Sequence, residues 1–562
     1  MGNGAKRIII VGGVACGPKA AARARRVDPE AEIILVDRGT YPSYAGCGLP
    51  FYVAGAIKAL DGLFSTAWGV NRDPAFFRNA KNVEVRMRTS AEAVDRARKE
   101  ITLRNLETGE TRVERYDKLV LATGASPVVP PIEGMNLKNV FTLRRPEDAE
   151  AIVKCIEGID AEKAVIIGGG RISLEVVDAL NAQAVDSTVV EMMDQLLPGA
   201  IDPEIAKILE NAIVKAGVTV YTSEKVLRLE GGGDGGVKKV VTDKREIETD
   251  FVLAAVGVKP NVELARAAGL EITGLGTVAV DEYLRTSDPD IYAGGDCVSC
   301  DSLVTGEKIY APLGSTANKH GRVIGTNVAG GAEKFPGVAA AGIMKTMGLN
   351  LARTGITRKE AAARGIDTVS ALVPGQDKSH FYPGGKDITI ELTAAAADGR
   401  VLGAQVIGPG DVARRADVVT AILTLRGTVD NLANMDLCYA PPFASAMDPL
   451  LHAANVIRNK MSGVAKGMTV EEFRAAGDEI VVVDVRSPAE HAKLPFEDAR
   501  AVKAPLEELR GRLADLPRDK RAVVMCKVGT RGYECQRVLD GAGFVNSAFL
   551  EGGLQTLMET GE

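Results

Sequence analysis

The stretch RIIIVGGVACG at residues 7–17 decides the fold of the N-terminal region. The apolar run Arg7–Val11 predicts a buried strand, Gly12 predicts a tight turn, and residues 18–27 predict a helix. A helix that begins just after a glycine turn presents its backbone amides to a pyrophosphate. The stretch therefore predicts a dinucleotide-binding βαβ unit, although Val14 replaces one glycine of the usual pattern.

Each of two such units ends its second strand on an acidic residue. In the first, Asp37 lies 20 residues after Gly17, where a carboxylate accepts hydrogen bonds from a ribose. In the second, a predicted strand at residues 163–167 leads into Gly168-Gly169-Gly170, and the next strand ends at Glu191. Because a carboxylate repels a 2′-phosphate, Glu191 favours NADH over NADPH. The chain is therefore predicted to bind two nucleotides.

The bulk composition excludes several classes of protein. The 562 residues carry a net charge of −6, so no general attraction to nucleic acid or to an anionic membrane is expected. No apolar run approaches ~18 residues, and the first residues are polar, so neither a membrane helix nor a signal peptide is expected. A cytoplasmic protein is predicted. Eight scattered cysteines in such a chain favour catalytic or buried thiols over structural disulfides.

The C-terminal part of the chain has a different pattern. Between residues 337 and 458, predicted strands alternate with a helix at residues 412–425, and no glycine-rich nucleotide turn occurs. Residues 459–467 predict a linker. The residues from 468 onward predict a separate α/β unit, in which a strand at residues 522–525 ends at Cys526.

A third motif, TSDPDIYAGGD at residues 286–296, carries a resemblance to a known class. A short strand delivers the Asp296 carboxylate to a glycine turn, where it can bind the ribityl chain of a flavin. Together with Ala122-Thr123-Gly124 and the two nucleotide turns, this motif resembles those of flavin reductases with two dinucleotide domains, over residues 6 to about 455. The resemblance implies FAD and NADH as cofactors, with NADPH less favoured.

The resemblance also implies a fold class and domain boundaries. The fold class is α/β, with two Rossmann-like dinucleotide-binding domains and an α+β interface domain, followed by a separate C-terminal α/β domain. The predicted domains are FAD-binding (1–124 and 249–330), NAD(P)H-binding (125–248), interface (331–458), linker (459–467) and C-terminal (468–562). The implied FAD contacts are Gly12, Val14, Ala15, Gly17, Asp37, Arg38, Ala122, Thr123, Gly124 and Asp296. The implied NADH contacts are Gly168, Gly170, Arg171, Ile172, Glu191 and Gly257.

The segment SYAGCGLPFY at residues 43–52 distinguishes the branches of this class. The glutathione reductase type carries two cysteines five residues apart, but here Pro42 and Tyr52 occupy those positions around Cys47. Cys47 therefore forms a mixed disulfide or persulfide with a small molecule, or is oxidised to a sulfenic acid. NADH oxidases and peroxidases of the sulfenic acid kind carry a histidine where this chain has Ala15. The motifs instead resemble the coenzyme A-disulfide reductase family.

This resemblance implies a binding site for coenzyme A. Three basic residues share one helix face by their spacing: Lys19, Arg23 and Arg26. By resemblance this face meets the phosphates of coenzyme A, and Ser43 lies near its thiol end. The alternative is a solvated basic helix end that the helix dipole stabilises.

Two aromatic motifs are similar to the interface domain of the same family, YAPPF at residues 439–443 and FYPG at residues 381–384. In that family the domain forms a homodimer, and its tyrosines reach the cysteine of the partner subunit. The resemblance implies that Tyr439 and Tyr382 hydrogen-bond a sulfur anion there. The alternative for both is core packing with a satisfied hydroxyl.

The stretch CKVGTRG at residues 526–532 predicts a second sulfur site. Cys526 ends a strand, and a short loop leads into a helix, so that backbone amides point at the sulfur and stabilise a persulfide or a bound anion. The loop supplies three further site residues: Lys527, Gly529 and Arg531. With DVR at residues 484–486 and LEGG at residues 550–553, this unit resembles a single rhodanese domain, so the C-terminal domain 468–562 is predicted to be rhodanese-like.

The remaining cysteines and histidines predict no further chemistry. Cys297 and Cys300 have the spacing of half a zinc site or of a redox pair, but no second pair follows and Asp296 places them beside the predicted flavin, so a structural or incidental role is expected. Cys535 lies nine residues past Cys526 and is expected to be a buried helix thiol rather than a resolving cysteine. No metal site is predicted, because the four histidines are isolated.

These motifs combine into one predicted activity. NAD(P)H, through FAD, reduces coenzyme A persulfide, polysulfide or coenzyme A disulfide at Cys47, and Cys526 delivers sulfane sulfur. The expected partners are small thiols, persulfides or polysulfides and a second copy in a homodimer, with no nucleic acid and no membrane. The alternatives are an NADH oxidase or peroxidase with a Cys47 sulfenic acid, and a redox-sensing or scaffold protein whose flavin unit only binds nucleotides and a partner. The physiological substrate, the sulfur route between the cysteines, and a role in respiration, detoxification or thiol homeostasis stay open.

Overall fold

The computed structural model describes residues 5–544 and 546–561. Up to residue 338 its elements are, in chain order, β1 (Arg7–Val11), α1 (Cys16–Val27), β2 (Glu32–Val36), α2 (Leu49–Val53), α3 (Pro74–Lys81), β3 (Glu84–Arg86), β4 (Thr89–Asp95), β5 (Glu100–Asn105), β6 (Thr111–Arg115), β7 (Lys118–Leu121), β8 (Ala125–Pro127), β9 (Val140–Phe141), α4 (Pro146–Ile159), β10 (Lys163–Ile167), α5 (Arg171–Ala182), β11 (Asp186–Val190), α6 (Pro203–Lys215), β12 (Thr219–Tyr221), β13 (Val226–Gly231), β14 (Val237–Thr242), β15 (Glu246–Glu248), β16 (Phe251–Ala254), β17 (Val258–Pro260), α7 (Glu263–Ala267), β18 (Ile291–Ala293), β19 (Cys300–Asp301), β20 (Lys308–Ile309) and α8 (Gly314–Val328).

From residue 339 onward the elements are β21 (Gly342–Thr346), β22 (Leu349–Gly355), α9 (Arg358–Ala362), β23 (Thr368–Gln376), β24 (Asp387–Ala395), β25 (Val401–Gly408), α10 (Ala413–Thr424), α11 (Val429–Ala433), α12 (Pro449–Met461), β26 (Gly467–Met468), α13 (Val470–Ala475), β27 (Ile480–Asp484), α14 (Pro488–Lys493), β28 (Ala501–Lys503), β29 (Arg521–Met525), α15 (Thr530–Gly541), β30 (Ala548–Leu550) and α16 (Gly553–Glu559). Short 3-10 turns connect several of them, including Gly46–Gly48.

The first of two compact units comprises residues 5–192 and 219–338 and contains two parallel sheets. One sheet has the order β18-β7-β1-β2-β3 and the other the order β12-β11-β10-β16-β9. Ile8, Ile9 and Ile10 are fully buried, as expected of a central parallel strand that is covered on both faces. Because β1 and β10 are the central strands, each predicted nucleotide turn lies at the carboxyl edge of its sheet.

Helix α8 packs directly on α1 within this unit. A methyl group on Gly321 would lie 2.4 Å from the Cys16 carbonyl oxygen, and one on Gly325 would lie 2.5 Å from that of Ala20. Glycine is therefore required at both positions for the two backbones to approach so closely. This packing fixes the position of the N-terminus of α8, which begins at Gly314.

The second unit comprises residues 193–218 and 339–561. Its antiparallel sheet has the order β21-β22-β25-β24-β23, and β24 and β25 are almost entirely buried. A parallel sheet with the order β26-β30-β29-β27-β28 forms the C-terminal part, with β29 at its centre. Helix α6, which the predicted boundaries assign to the NAD(P)H-binding domain, lies in this unit.

The predicted elements agree with the structure apart from their ends. The first helix begins at Cys16 instead of residue 18, because a turn of the chain after Gly13 already brings Cys16 and Gly17 into helical geometry. The predicted linker 459–467 is shorter, since α12 continues through Met461 and only residues 462–466 connect it to β26. Within residues 5–544 and 546–561, the structure contains no helix long and apolar enough to cross a membrane.

Candidate active site

The first nucleotide turn is shaped by two glycines. Gly12 has a φ of +115°, and a methyl group on it would lie 2.0 Å from the Ala122 carbonyl oxygen. A methyl group on Gly17 would lie 1.8 Å from the Gly12 carbonyl oxygen. Both positions therefore require glycine, one for the left-handed backbone and one for the close contact of α1 with the turn.

The acid at the end of β2 holds this turn in place. One oxygen of Asp37 accepts a hydrogen bond from the Gly13 amide at 2.6 Å, and the other accepts one from the Gly39 amide, also at 2.6 Å. The remaining predicted FAD contacts follow the neighbouring strands β1, β2 and β7 directly: Val14, Ala15, Arg38, Thr123 and Gly124. Since these strands are adjacent in one parallel sheet, their carboxyl ends form one edge, and this edge fits a dinucleotide.

Asp296, the predicted ribityl contact, is paired with a residue that sequence reasoning missed. Arg144 donates a hydrogen bond from Nη2 to the Asp296 carboxylate at 2.7 Å, across 152 positions of sequence. Tyr44 donates to the Arg144 carbonyl oxygen at 3.3 Å, and burial raises the pKa of Tyr44 to about 12, so its hydroxyl stays protonated. Arg144 thus connects Asp296, the predicted flavin contact, to the segment that carries Cys47.

The second nucleotide turn repeats the construction of the first. Gly168 has a φ of +101°, and Gly170 precedes the first turn of α5. The Glu191 carboxylate is buried and accepts a hydrogen bond from the Gly169 amide at 2.6 Å. The other predicted NADH contacts lie at the start of α5 and just after β16, the strand beside β10: Arg171, Ile172 and Gly257. This edge also fits a dinucleotide, and its buried acid Glu191 is the predicted ribose contact.

Cys47 lies in the 3-10 turn Gly46–Gly48, and its thiol is exposed and free. The Ala45 amide donates to the Leu63 carbonyl oxygen at 2.8 Å, which fixes the turn from one side. A methyl group on Gly314 would lie only 3.9 Å from the Cys47 sulfur, so the first residue of α8 adjoins the thiol. The N-terminus of a 15-residue helix favours negative charge on that sulfur. Nothing local in the sequence indicates this contact.

Beside Cys47, Ser43 is oriented by a guanidinium that the sequence did not indicate. Arg72 donates to the Ser43 hydroxyl at 3.3 Å and to the Ser65 carbonyl oxygen at 2.6 Å. On α1, Lys19 and Arg26 are exposed, whereas Arg23 is half-buried and donates to the Thr326 hydroxyl at 2.9 Å. The basic helix face and Ser43 therefore belong to the same unit as Cys47.

The two predicted tyrosines lie in the second unit and are not core residues. Tyr382 is 37% exposed and Tyr439 is 49% exposed, and the neighbouring Phe381 and Phe443 are more exposed still. The two segments adjoin, because the Ser379 hydroxyl donates to the Ala444 carbonyl oxygen at 3.0 Å. They form an exposed aromatic surface. The predicted contact of these tyrosines with a partner's cysteine stays a prediction.

Cys526 ends the central strand of the C-terminal sheet, and its side chain is only 1% exposed. The Gly529 amide donates to the Cys526 sulfur at 3.1 Å, immediately before α15 begins. Gly529 needs its φ of +98° to aim this amide, and Lys527 in the same loop is exposed. One of the predicted loop amides, that of Gly529, therefore points at the sulfur.

Arg531 is held by a carboxylate that sequence reasoning missed. It donates from Nη1 and Nη2 to the two oxygens of Glu490, at 2.7 and 2.5 Å. These hydrogen bonds from Arg531 lower the pKa of Glu490 to about 2. The same helix carries Cys535, which is fully buried, and burial raises the pKa of its thiol to about 12. This placement agrees with the prediction that Cys535 is a buried helix thiol.

One further prediction concerns the cysteine pair Cys297 and Cys300. Cys297 and Cys300 are buried and free, and the described residues contain no group of three potential metal ligands.

Sequence reasoning missed Glu175 on α5, a helix that packs against α2 next to Cys47. Burial raises the pKa of Glu175 to about 7, which makes it a candidate for proton transfer. Its signal in the sequence is an acid among the buried residues Leu174, Val176 and Val177.

The sequence matches the model of the pyridine nucleotide-disulphide oxidoreductases over residues 6–321, more than half of the chain. The chain belongs to this family. In this pyridine nucleotide-disulphide oxidoreductase, residues 343–450 match the family's dimerisation domain and residues 469–559 match the rhodanese-like domain. The predicted family, α/β fold class and C-terminal rhodanese-like domain are thereby confirmed, and the protein is an NAD(P)H-dependent oxidoreductase.

Three relatives of this oxidoreductase have informative names. The structure of an NAD-dependent persulfide reductase from A. fulgidus is 43% identical, covers 98% of this chain and 99% of its own, and has a TM-score of 0.94. The NAD(P)H coenzyme A polysulfide/persulfide reductase of Pyrococcus horikoshii is 35% identical over 456 residues, 81% of this chain and 99% of its own. A protein of Methanocaldococcus jannaschii named NADH oxidase is equally similar, with 35% identity over the same shares.

Proposed function

We propose that this oxidoreductase reduces a sulfur–sulfur bond of coenzyme A persulfide, polysulfide or coenzyme A disulfide at Cys47. One observation carries the proposal: Cys47 is an exposed free thiol that adjoins the N-terminus of α8, and Tyr52 stands where a resolving cysteine would be needed. Such a thiol exchanges with an external sulfur–sulfur bond. The names of the relatives support the substrate class.

The chemistry at Cys47 balances as two steps. In the first step, the Cys47 thiolate attacks one sulfur atom of the substrate's sulfur–sulfur bond. That bond breaks, a mixed disulfide or persulfide forms on Cys47, and the displaced thiolate or hydrosulfide leaves. When bound, NADH and FAD supply the electron pair that the second step consumes. That pair breaks the new sulfur–sulfur bond, regenerates the Cys47 thiolate and releases the second product. Gly314, at the start of α8, stabilises the anionic sulfur at both ends of the cycle.

The cofactors and coenzyme A are assigned to surfaces within the first unit. The Gly12 and Asp37 edge holds FAD, with Asp296 oriented by Arg144, and the Gly168 and Glu191 edge holds NADH in preference to NADPH. The basic face of α1 takes the phosphates of coenzyme A. Its thiol end lies near Ser43, which Arg72 orients.

Cys526 supplies sulfane sulfur to this reaction. A donor transfers one sulfur atom to the Cys526 thiolate, giving a persulfide whose terminal sulfur the loop amides stabilise, and the donor leaves with its electron pair. A carrier thiol such as coenzyme A then removes that sulfur as its own persulfide. The product is the substrate proposed for Cys47, which accounts for the presence of both sites in one chain.

The proposed assembly is a homodimer. The exposed surface around Phe381, Tyr382, Tyr439 and Phe443 lies within the segment that matches a dimerisation domain, and large aromatic side chains are typical of interfaces. In such a dimer Tyr382 and Tyr439 hydrogen-bond sulfur at the partner subunit's cysteine.

The deciding experiment is anaerobic NADH oxidation with coenzyme A persulfide, polysulfide and coenzyme A disulfide in parallel. Wild type, Cys47→Ser and Cys526→Ser are compared, and Cys535→Ser serves as the matched thiol control. Cys47→Ser should abolish turnover of every sulfur substrate. Cys526→Ser should abolish sulfur transfer from thiosulfate but spare NADH-to-dye electron flow. Loss of both activities in Cys526→Ser would contradict the division of labour.

The second candidate function is an NADH oxidase that uses a Cys47 sulfenic acid, which the name of the Methanocaldococcus relative favours. Ala15 opposes it, because no acid–base side chain stands at that position in the first turn. The rate of NADH oxidation with oxygen, compared with the rate with sulfur substrates, distinguishes the two candidate functions. An oxidase consumes NADH with oxygen or peroxide much faster than with any sulfur substrate, whereas the reductase shows the reverse order.

A further inference from the structure

A set of buried and half-buried charged side chains surrounds a small cavity in the second unit. We call it the carboxyl cluster: Asp202, Glu204, Glu391 and Glu551, with the cations Arg358 and Lys460. The cavity is lined by Glu204 near the start of α6, Arg358 of α9, Glu391 of β24, and Thr469 and Glu551 of the rhodanese-like domain. Three parts of the chain that are distant in sequence therefore meet at one cavity.

The cluster holds more carboxyl groups than cations. Arg358 lies 2.6 Å from Glu391 through Nε and pairs with Glu204 through Nη2. Lys460 donates to Glu551 at 2.5 Å and to the Ser370 carbonyl oxygen at 2.8 Å. Four carboxyl groups thus face two cations, and full ionisation would leave an excess of two negative charges around a largely buried cavity. Burying an uncompensated charge is costly, so a carboxyl group that takes up a proton relieves the cluster.

Hydrogen bonding indicates which carboxyl group takes the proton. Asp202 accepts hydrogen bonds from the amides of Arg358 and Lys359 and from the Gln405 side chain at 3.0, 3.2 and 2.6 Å, all of which favour its anion. Glu391 is only 2% exposed, and its Oε2 has no hydrogen-bond partner among the described residues. The pKa of Glu391 is raised to about 8, and the largest cause is the burial of its carboxyl group. Glu391 is therefore the group that is neutral at physiological pH.

The cluster lies where the rhodanese-like domain is attached. Glu551 directly follows β30, and a methyl group on Gly467 would lie 1.9 Å from its Oε1, so Glu551 packs tightly against the start of that domain. Lys460, one residue before the end of α12, ties Glu551 to β23. A second attachment is made by Asn211 of α6, which donates to the carbonyl oxygens of Glu559 and Gly561 at 2.8 and 2.6 Å.

We propose that the carboxyl cluster is a proton-dependent latch, in which the neutral Glu391 carboxyl permits docking of the rhodanese-like domain on the dimerisation domain and its ionisation loosens that docking. The groups that face Glu391 are Arg358 of α9, Asp202 and Glu204 at the start of α6, and Glu551, which Lys460 neutralises in part. The negative groups Asp202, Glu204 and Glu551 oppose ionisation of Glu391, whereas Arg358 favours it.

The direction of the pH dependence follows from the two pKa values. A glutamate released into water has a pKa of about 4.5, whereas the docked Glu391 has a pKa of about 8. The docked state therefore binds the proton more tightly. Docking is strongest below pH 4.5, weakens as the pH rises toward 8, and weakens no further above that value.

Hydrogen exchange of the holoenzyme tests the latch. Amide exchange at residues 462–470, corrected for the intrinsic chemical rate, is measured at pH 6 and pH 9. In wild type, the rhodanese-like domain should undock at least about tenfold more often at pH 9 than at pH 6. The reason is that each pH unit between the two pKa values of Glu391 changes the docking equilibrium about tenfold. Glu391→Gln mimics the neutral acid and should open equally at both values. Glu508→Gln, which changes an exposed glutamate of the same domain, should behave as wild type.

A second variant keeps the test decisive if Glu391→Gln folds poorly. Glu551→Gln removes one charge that opposes ionisation, so the increase in opening between pH 6 and pH 9 should be smaller than in wild type. NADH-to-dye activity, which does not involve the cluster, reports that each variant is folded. Equal opening of wild type at both pH values, or an undiminished pH dependence in Glu391→Gln or Glu551→Gln, would overturn the proposal.

Discussion

Arg531 and Glu490 form a two-point ion pair across 41 positions of sequence, with nitrogen–oxygen distances of 2.7 and 2.5 Å. Glu490 is itself fixed, because it closes a capping box with Ser487 at the start of α14. Arg531 lies in the first turn of α15, and its guanidinium interacts electrostatically with Cys526. A helix cap therefore positions the cation that interacts with Cys526.

Loss of this ion pair should weaken sulfur transfer without affecting electron flow. In Glu490→Gln the guanidinium loses a charged partner and becomes mobile, so transfer from thiosulfate should fall roughly tenfold, the scale of a lost charge-assisted hydrogen bond. NADH-to-dye activity should not change. Glu534→Gln, an exposed substitution on the same helix, is the control. Unaltered sulfur transfer in Glu490→Gln would show that Arg531 needs no positioning.

Flavin retention should depend on the absence of a side chain at Gly12. In Gly12→Ala the new methyl group would lie 2.0 Å from the Ala122 carbonyl oxygen, so the turn must move. Its backbone amides would then no longer point at the proposed pyrophosphate position. The purified variant should carry little FAD, as measured by its flavin absorbance relative to protein. Gly109→Ala is matched to it, because Gly109 also has a positive φ but has open space around it. Full flavin content in Gly12→Ala would contradict the assigned turn.

Nucleotide preference should depend on Glu191. In Glu191→Gln the side chain keeps an acceptor for the Gly169 amide but loses the charge that binds ribose and repels a 2′-phosphate. Steady-state kinetics should show kcat/KM for NADH lowered about tenfold, with that for NADPH unchanged or raised. Glu230→Gln changes an exposed glutamate in the same unit and should leave the ratio intact. The assignment fails if the ratio of the two nucleotides does not move.

The basic face of α1 should distinguish substrates with phosphates from those without. Replacing Lys19 and Arg23 together by Gln removes two cations, so KM for coenzyme A disulfide should rise about tenfold or more. KM for polysulfide should not change, since polysulfide does not carry the coenzyme A phosphates. Arg98→Gln removes an exposed charge elsewhere in the unit and should change neither KM. An equal effect on both substrates would mean that this face does not bind coenzyme A.

The buried His320 should make the first unit sensitive to acid. Its Nδ1 accepts a hydrogen bond from the Gly295 amide at 3.1 Å, and burial lowers its pKa from 6.5 to about 4. The folded state binds this proton less tightly than the unfolded state, so stability falls as the pH drops from 6.5 toward 4. The loss amounts to about 3 kcal/mol.

Thermal unfolding at pH 7.5 and pH 5 measures this effect. The acid-induced drop in melting temperature should shrink in His320→Gln, because glutamine still accepts from the Gly295 amide but does not titrate. His380→Gln replaces an exposed histidine and should keep the drop seen in wild type. A drop of unchanged size in His320→Gln would rule out His320 as its source.

The sequence by itself determined the elements and the chemistry-bearing residues of this protein. Two apolar runs, each followed by a glycine, predict a strand and a turn: Arg7–Val11 with Gly12, and Lys163–Ile167 with Gly168. These predictions are possible because strand formation and turn geometry depend mainly on residues that are neighbours in the sequence. Cys47 and Cys526 were identified in the same way, each from the short motif around it.

Only the tertiary structure decided which distant groups meet. Arg144 orients Asp296, Gly314 adjoins Cys47, and Glu490 holds Arg531, although each pair is separated by dozens or hundreds of residues. The excess of carboxyl groups around Glu391 likewise exists only where α6, β24 and the rhodanese-like domain meet. Contacts of this kind depend on the path of the whole chain, and charge and burial at a site are properties of all the residues that surround it.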